Sequence, residues 1–157
     1  MAIKYELEEL LWRVQVATGP CRYLDNIIAS VLAPDLLSNG PKSLGSFWSF
    51  TSSIDAAVAL VNRVLPGWWW KLGTCHVSDD ACLAPDYSDP VHGARLKREF
   101  PLPSERHEET NDRGSTSLTF GPFDDGFDID RRPPGNLSLA LLEALLIALI
   151  YIEERQQ

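Results

Sequence analysis

The stretch over residues 137–152 restricts the fold of this 157-residue chain more than any other feature. It places Leu137, Leu141, Leu142, Leu145, Leu146, Leu149 and Ile150 on a helix that is apolar around most of its circumference. Ser138 and Glu143 lie inside it, and Glu153, Glu154 and Arg155 follow. A membrane-spanning helix needs about 20 apolar residues and no acid near its centre, so the stretch reads as a core helix. Such a helix must be covered on more than one side. The cover is either the chain's own sheet and helices or a second copy of the chain.

The chain fits one domain over 1–157, because domains of this size bury a single core. With 14 Lys and Arg against 22 Asp and Glu the net charge is −8, which removes any general attraction to nucleic-acid phosphate or anionic lipid. Half of that excess, eight acids against four bases, falls within residues 104–132. Three cysteines, Cys21, Cys75 and Cys82, make no disulfide framework and point to a reducing compartment. The N-terminal segment is acidic and amphipathic rather than basic and then apolar, so a signal peptide is not expected and cytoplasm is.

Leu7, Leu10, Leu11 and Val14 recur at helical spacing, and Thr18-Gly19-Pro20 ends that helix and starts the next. The second carries Leu24, Ile27, Ile28, Val31 and Leu32 on one stripe and ends near Pro34. Arg22 and Asp25 on it read as a surface ion pair. A loop over 34–50 follows, with Phe47, Trp48 and Phe50 docking at its end. A third helix opens at Thr51-Ser52-Ser53, with Ser52 as the cap and Asp55 completing a capping box, and stops at Pro66-Gly67.

Trp68-Trp69-Trp70-Lys71-Leu72 begins a strand–turn–strand unit. Centred on Ser78-Asp79, the hairpin sets Cys75 opposite Cys82 and Lys71 opposite Asp86. Residues 91–100 read as a third strand, 101–114 as a mobile charged loop, 116–120 as a short strand and 123–135 as an acidic, turn-rich connection. The predicted class is therefore α+β: a layered α/β/α sandwich with a small, mainly antiparallel sheet of three to four strands and about four helices.

Thr18-Gly19-Pro20 with Arg22, Leu24 and Asp25, then Phe50-Thr51-Ser52-Ser53-Ile54-Asp55-Ala56-Ala57 leading to Pro66-Gly67-Trp68-Trp69-Trp70, and a Leu/Ala-rich final helix together resemble the phage ABA sandwich domain family. The resemblance covers roughly 7–87 and 137–155. It implies a layered α/β/α fold in a small phage or prophage protein of a bacterial host, and it carries no catalytic residue. The triple tryptophan and the acidic insertion depart from the family pattern.

No complete chemical signature is present. Cys75, His76, Cys82 and His92 are residue types that zinc prefers, but without a Cys-x-x-Cys, and neighbouring Cys75 and His76 point to opposite faces of a strand, so no metal site is expected. The acids from Asp124 to Asp130 fail the EF-hand template and read as a solvated turn. His76, His92 and His107 have no nucleophile elbow beside them, and no glycine-rich phosphate loop occurs. Neither a cofactor nor catalytic residues are assigned.

The remaining candidates are aromatic and cationic. Trp68 and Trp70 share one strand face and Trp69 takes the other, where beside Lys71 it forms a flat apolar and cationic surface. Trp69, Lys71, Trp48 and His76 are the binding residues expected from sequence. The resulting expectation is a non-enzymatic phage or prophage accessory protein that binds a host or phage protein, with a homo-oligomer through the last helix as an option. A small-molecule sponge for a host defence signal is the competing reading and a hydrolase the third.

Overall fold

The computed structural model describes residues 3–38, 49–100, 107–110, 116–119 and 126–156. Helices α1 (Lys4–Val16), α2 (Arg22–Leu32), α3 (Pro34–Ser38) and α4 (Ile54–Val64) precede strands β1 (Trp68–Thr74) and β2 (Asp79–Pro85). Helix α5 (Gly93–Glu99), strands β3 (His107–Thr110), β4 (Thr116–Thr119) and β5 (Phe127–Arg131) and the final helix α6 (Leu137–Gln156) complete the order. The fold is a small α+β arrangement with a three-stranded antiparallel sheet, β1-β2-β5, and a separate antiparallel pair, β3-β4. Among the described residues no helix is long and apolar enough to cross a membrane.

Helix α6 is the axis of the core. Leu139, Leu141, Leu142, Leu145 and Leu146 are buried all round it, and its neighbours are α1, α4 and the inner face of the sheet. Among the described residues the cover of its buried side comes from α1, α4 and the sheet, while Ile147, Leu149 and Ile150 stay partly exposed. Its start is fixed by Asn136, whose Oδ1 accepts the Leu139 N–H at 2.9 Å. Trp68, Ala81, Leu83 and Phe127 close the sheet side, with Trp68 stacked on Phe127 and edge-on to Phe100.

Helices α1 and α2 follow the predicted stripes, but in α4 the expected stripe of Ile54, Ala57, Val58 and Val61 is rotated: Ala56, Ala57, Leu60 and Val61 are buried, and Ile54 stays exposed. The cap of α4 is Ser53, not Ser52: the Ser53 hydroxyl accepts the Ala56 N–H at 3.2 Å, whereas Ser52 donates to the Ser49 carbonyl. Asp55 therefore sits in the first turn without closing a capping box. Asp25 is buried rather than paired at the surface, because it accepts the Thr51 N–H at 2.8 Å. Part of the expected loop over 34–50 is the short α3, and Trp48 lies outside the described residues.

The hairpin turns two residues earlier than expected. Cys75 N–H donates to the Ser78 carbonyl at 2.9 Å, so Thr74 faces Asp79, Lys71 faces Cys82, and Asp86 faces Gly67. Asp79 is drawn into the ladder because its carboxylate is used inside the protein, accepting from the Thr74 hydroxyl and from the Gly135 and Asn136 N–H groups. The four-residue change of register is even, so each side chain keeps its predicted face.

Residues 91–100 contain a helix, not a strand. Asp89 Oδ1 accepts the N–H groups of Val91 and His92 at 2.9 and 2.7 Å, which starts a helical turn, and Arg95 and Glu99 pair one turn apart. The expected acidic connection contains β5, which alternates Phe127 and Ile129 inward with Asp128 and Asp130 outward. The strand expected at 116–120 is β4. Most of the loop expected at 101–114 lies outside the described residues, and within it 107–110 form β3. Gly67, with φ +84°, permits the turn from α4 into β1; a side chain there would collide with His92 Cβ.

Candidate interaction surface

Strand β1 lies at one edge of the three-stranded sheet, and among the described residues no strand pairs with its outer side. Trp68 is buried, but Trp69 and Trp70 retain 39 % and 40 % exposure. Trp70 points to the same face as Trp68, yet α6 lies mainly under β2 and β5, so the edge of that face stays open. Trp69 and Lys71 point to the other face. There the register aligns Trp69 with Ala84, Lys71 with Cys82 and Asp128, and Gly73 with Asp80 and Asp130.

The structure thus brings together two of the four sequence-derived site residues, Trp69 and Lys71, two positions apart on an exposed strand. His76 is exposed in the hairpin turn, about 20 Å farther along the strand direction, and does not join them. Neither the exposure of Trp70 nor the open edge follows from the sequence, because nothing in a Trp-Trp-Trp string says how far a covering helix extends.

Beside Trp69, a crevice of about 340 Å³ is lined by Asn62, Pro66, Asp86, Asp89 and His92. Its carboxylates are engaged locally. Asp86 accepts from the N–H and hydroxyl of Ser88, and Asp89 from the N–H groups of Val91 and His92 in the turn leading into α5. The His92 and Val91 N–H groups hold the Asp89 carboxyl below its ordinary range. The Arg95 guanidinium reaches the Pro66 carbonyl at 2.7 Å and approaches His92 Nδ1 at 3.3 Å. With two carboxylates at the rim and its cation spent on backbone and on Glu99, the crevice opposes an anionic ligand.

A third polar region joins five elements at the opposite end of the sheet. Arg131 donates to the Val14 carbonyl at 3.0 Å and to the Ala17 carbonyl, and pairs with Glu143 at 3.4 Å. Asn136 donates to the Thr51 carbonyl at 2.8 Å, and the Thr51 hydroxyl accepts the Cys21 N–H at 2.9 Å. Among the described residues every buried side-chain nitrogen and oxygen has a partner, so these groups fasten the fold and leave no unsatisfied donor for a substrate.

Among the described residues the cysteines and histidines form no metal-holding cluster. Cys75 lies in the turn and Cys82 opposite Lys71, about 13 Å apart along the strand. Among the described residues no group of three or more His, Cys, Asp or Glu could hold a metal ion. The thiols differ in character. The Val77 and Ser78 N–H groups and the Ser78 hydroxyl pull the Cys75 thiol down, whereas burial, and then Asp128, push the Cys82 thiol up.

A second exposed aromatic patch lies on the helices. Tyr5, Trp12 and Val16 follow one stripe of α1, and Trp12 and Val16 border a groove of about 380 Å³ shared with Tyr23 and Ile27 of α2. Their signal in the sequence is position: they lie off the buried stripe of Leu7, Leu10 and Val14. Compared with protein-family models, curated proteins and solved structures, the chain matches none of them.

Proposed function

We propose that the chain is a non-enzymatic interaction module that engages a protein partner through β1. The observation that carries this reading is the pair of exposed rings, Trp69 and Trp70, beside Lys71 on a strand with an open edge. Large apolar rings stay partly solvated only at a cost of burial left unused, and a strand edge offers main-chain hydrogen bonds to an incoming extended segment. Lys71 adds a cation that selects among partners rather than holding them. The resemblance to the phage ABA sandwich family supports a setting as a phage or prophage accessory protein in a bacterial cytoplasm, with a host or phage protein as partner.

A small-molecule reading has one observation in its favour, the crevice beside Trp69. Its rim of Asp86 and Asp89 suits a neutral or cationic planar ligand.

A photo-reactive amino acid placed at position 69, 12 or 91 in the intact chain, followed by irradiation in bacterial cells, tests the main reading. Adducts from position 69, lost on Lys71→Glu, are the expected result. Adducts from position 12 or 91 alone would assign recognition elsewhere and overturn it.

A further inference from the structure

We infer that two copies of this chain join through their β1 strands, antiparallel about a two-fold axis, with Trp70 of one copy opposite Trp70 of the other. The inference rests on β1 being the recognition surface and names its occupant.

The hydrogen bonds at the two ends of the hairpin fix the geometry. Cys75 N–H donates to the Ser78 carbonyl and Asp86 N–H to the Gly67 carbonyl, so the odd-numbered residues of β1 bond to β2. The even-numbered Trp70, Leu72 and Thr74 therefore direct their N–H and carbonyl groups to the open side. The Trp68 N–H, turned the same way, is taken by the Leu65 carbonyl at 3.2 Å and marks the end of the available stretch.

Three two-fold antiparallel registers bring the Trp69, Trp70 and Lys71 segment together, centred on Trp70, Lys71 or Leu72. With Lys71 on Lys71, two ammonium groups meet in a non-hydrogen-bonded pair, where side chains are closest. With Leu72 on Leu72, Lys71 faces Gly73 and Trp69 runs out to the turn residue Cys75, which leaves the ring uncovered. With Trp70 on Trp70, each Trp69 faces the other copy's Lys71 in the close, non-hydrogen-bonded position, a cation–π contact made twice. In the same register the two Trp70 residues meet on the face below, and each Trp68 stands opposite a Leu72.

One strand thus supplies both halves of the match, ring and cation, and one register satisfies both. A second copy fits this edge for that reason: an unrelated extended segment would have to reproduce the Trp-x-Lys spacing. Lys71 also acts against the neighbouring register, so the same residue attracts in one alignment and repels in the next. The joined sheet has the order β5-β2-β1-β1-β2-β5, and the α6 helices stay in their own cores.

Sedimentation of the intact chain up to about 100 µM, the range that reveals a Kd of micromolar order, tests this directly. A concentration-dependent dimer is expected, weakened about ten-fold by Lys71→Glu through loss of two cation–π contacts, with unchanged urea unfolding of the dilute chain. In a Cys75→Ser background, Trp70→Cys is expected to give a covalent dimer on mild oxidation, because the paired Cα atoms lie about 5.5 Å apart, while Leu72→Cys does not. A monomer at every concentration, or covalent dimer from Leu72→Cys and not from Trp70→Cys, overturns the pairing. If the chain is monomeric while position 69 still forms photo-adducts of a mass other than twice its own, self-pairing fails and the interaction module stands. If position 69 forms none, both fail.

Discussion

Asn136 ties the head of α6 to the turn before α4, donating from Nδ2 to the Thr51 carbonyl at 2.8 Å while its Oδ1 accepts the Leu139 N–H at 2.9 Å. One side chain therefore caps the core helix and fixes its distance from α4. Asn136→Ser keeps a cap and loses the reach, an expected cost of about 1 kcal/mol. Asn136→Asp keeps the cap but turns a carboxylate toward the Thr51 carbonyl, with an expected cost of about 2–3 kcal/mol. Urea unfolding measures both variants; an Asn136→Ser as stable as the natural chain would show that the link to Thr51 contributes nothing.

Two buried aspartates, Asp25 and Asp79, respond to pH in opposite directions. Burial pushes the Asp25 carboxyl above its ordinary range, against the opposing hydrogen bonds from Thr51 and the charge of Arg22. Burial acts most strongly on Asp79 as well, but the Thr74 hydroxyl, the Gly135 and Asn136 N–H groups and Arg131 together pull it below. A depressed folded value means that Asp79 contributes stability above its unfolded pKa, lost as pH falls through the folded value. A raised value means that Asp25 contributes stability below its unfolded pKa, lost as pH rises through the folded one. Asp79→Asn is expected to cost about 2–3 kcal/mol at pH 7 and less in acid. Asp25→Asn, which keeps an acceptor for Thr51, is expected to be neutral or stabilising at pH 7. Unfolding curves at pH 7 and at about pH 3.5 distinguish these signs.

Arg131 holds the C-terminal end of α1 through the Val14 and Ala17 carbonyls, and its pair with Glu143 is nearly buried, with side-chain exposures of 12 % and 13 %. A lysine cannot span both carbonyls and the carboxylate as a planar fork does. Arg131→Lys is expected to lower stability by about 2 kcal/mol, and Arg131→Met by about 3 kcal/mol because Glu143 loses its cation and keeps only the Gln15 amide as donor. Adding Glu143→Gln to Arg131→Met should recover part of that loss. Absence of coupling in this cycle would show that the pair is not an energetic unit.

Much of this architecture was legible in the residues, and the failures have physical causes. The 3.6-residue period of Leu7, Leu10 and Val14, and of the leucines of α6, reports burial that any surrounding fold imposes. Helix α5 escaped because the turn leading into it is held by the Val91 and His92 N–H groups donating to Asp89, not by an apolar stripe. In β5 the alternation of Phe127 and Ile129 was present but hidden among acids that read as a turn. Arg131 was invisible for another reason: its main partners are backbone carbonyls more than 100 residues away, which carry no residue type. Trp69 and Lys71 were found because a strand's two-residue alternation places them on one face without further information.

The cysteines give an independent check on the turn. With Cys75 held low by the N–H groups of Val77 and Ser78 and Cys82 raised by burial, iodoacetamide should modify Cys75 first, and the difference should be widest near neutral pH. Ser78→Ala should slow the reaction at Cys75 by removing the hydroxyl contact. Faster labelling of Cys82 in the folded chain would contradict the hairpin register.

Amide hydrogen exchange along β1 reads the open edge residue by residue. In dilute chain, slow exchange is expected at Trp69 and Lys71, which bond to β2, and fast exchange at Trp70 and Leu72, which face outward. On association, protection of Trp70 and Leu72 should rise to match their neighbours. Slow exchange at Trp70 and Leu72 already at high dilution, or no gain in protection when the chain associates, would contradict the role given to this edge.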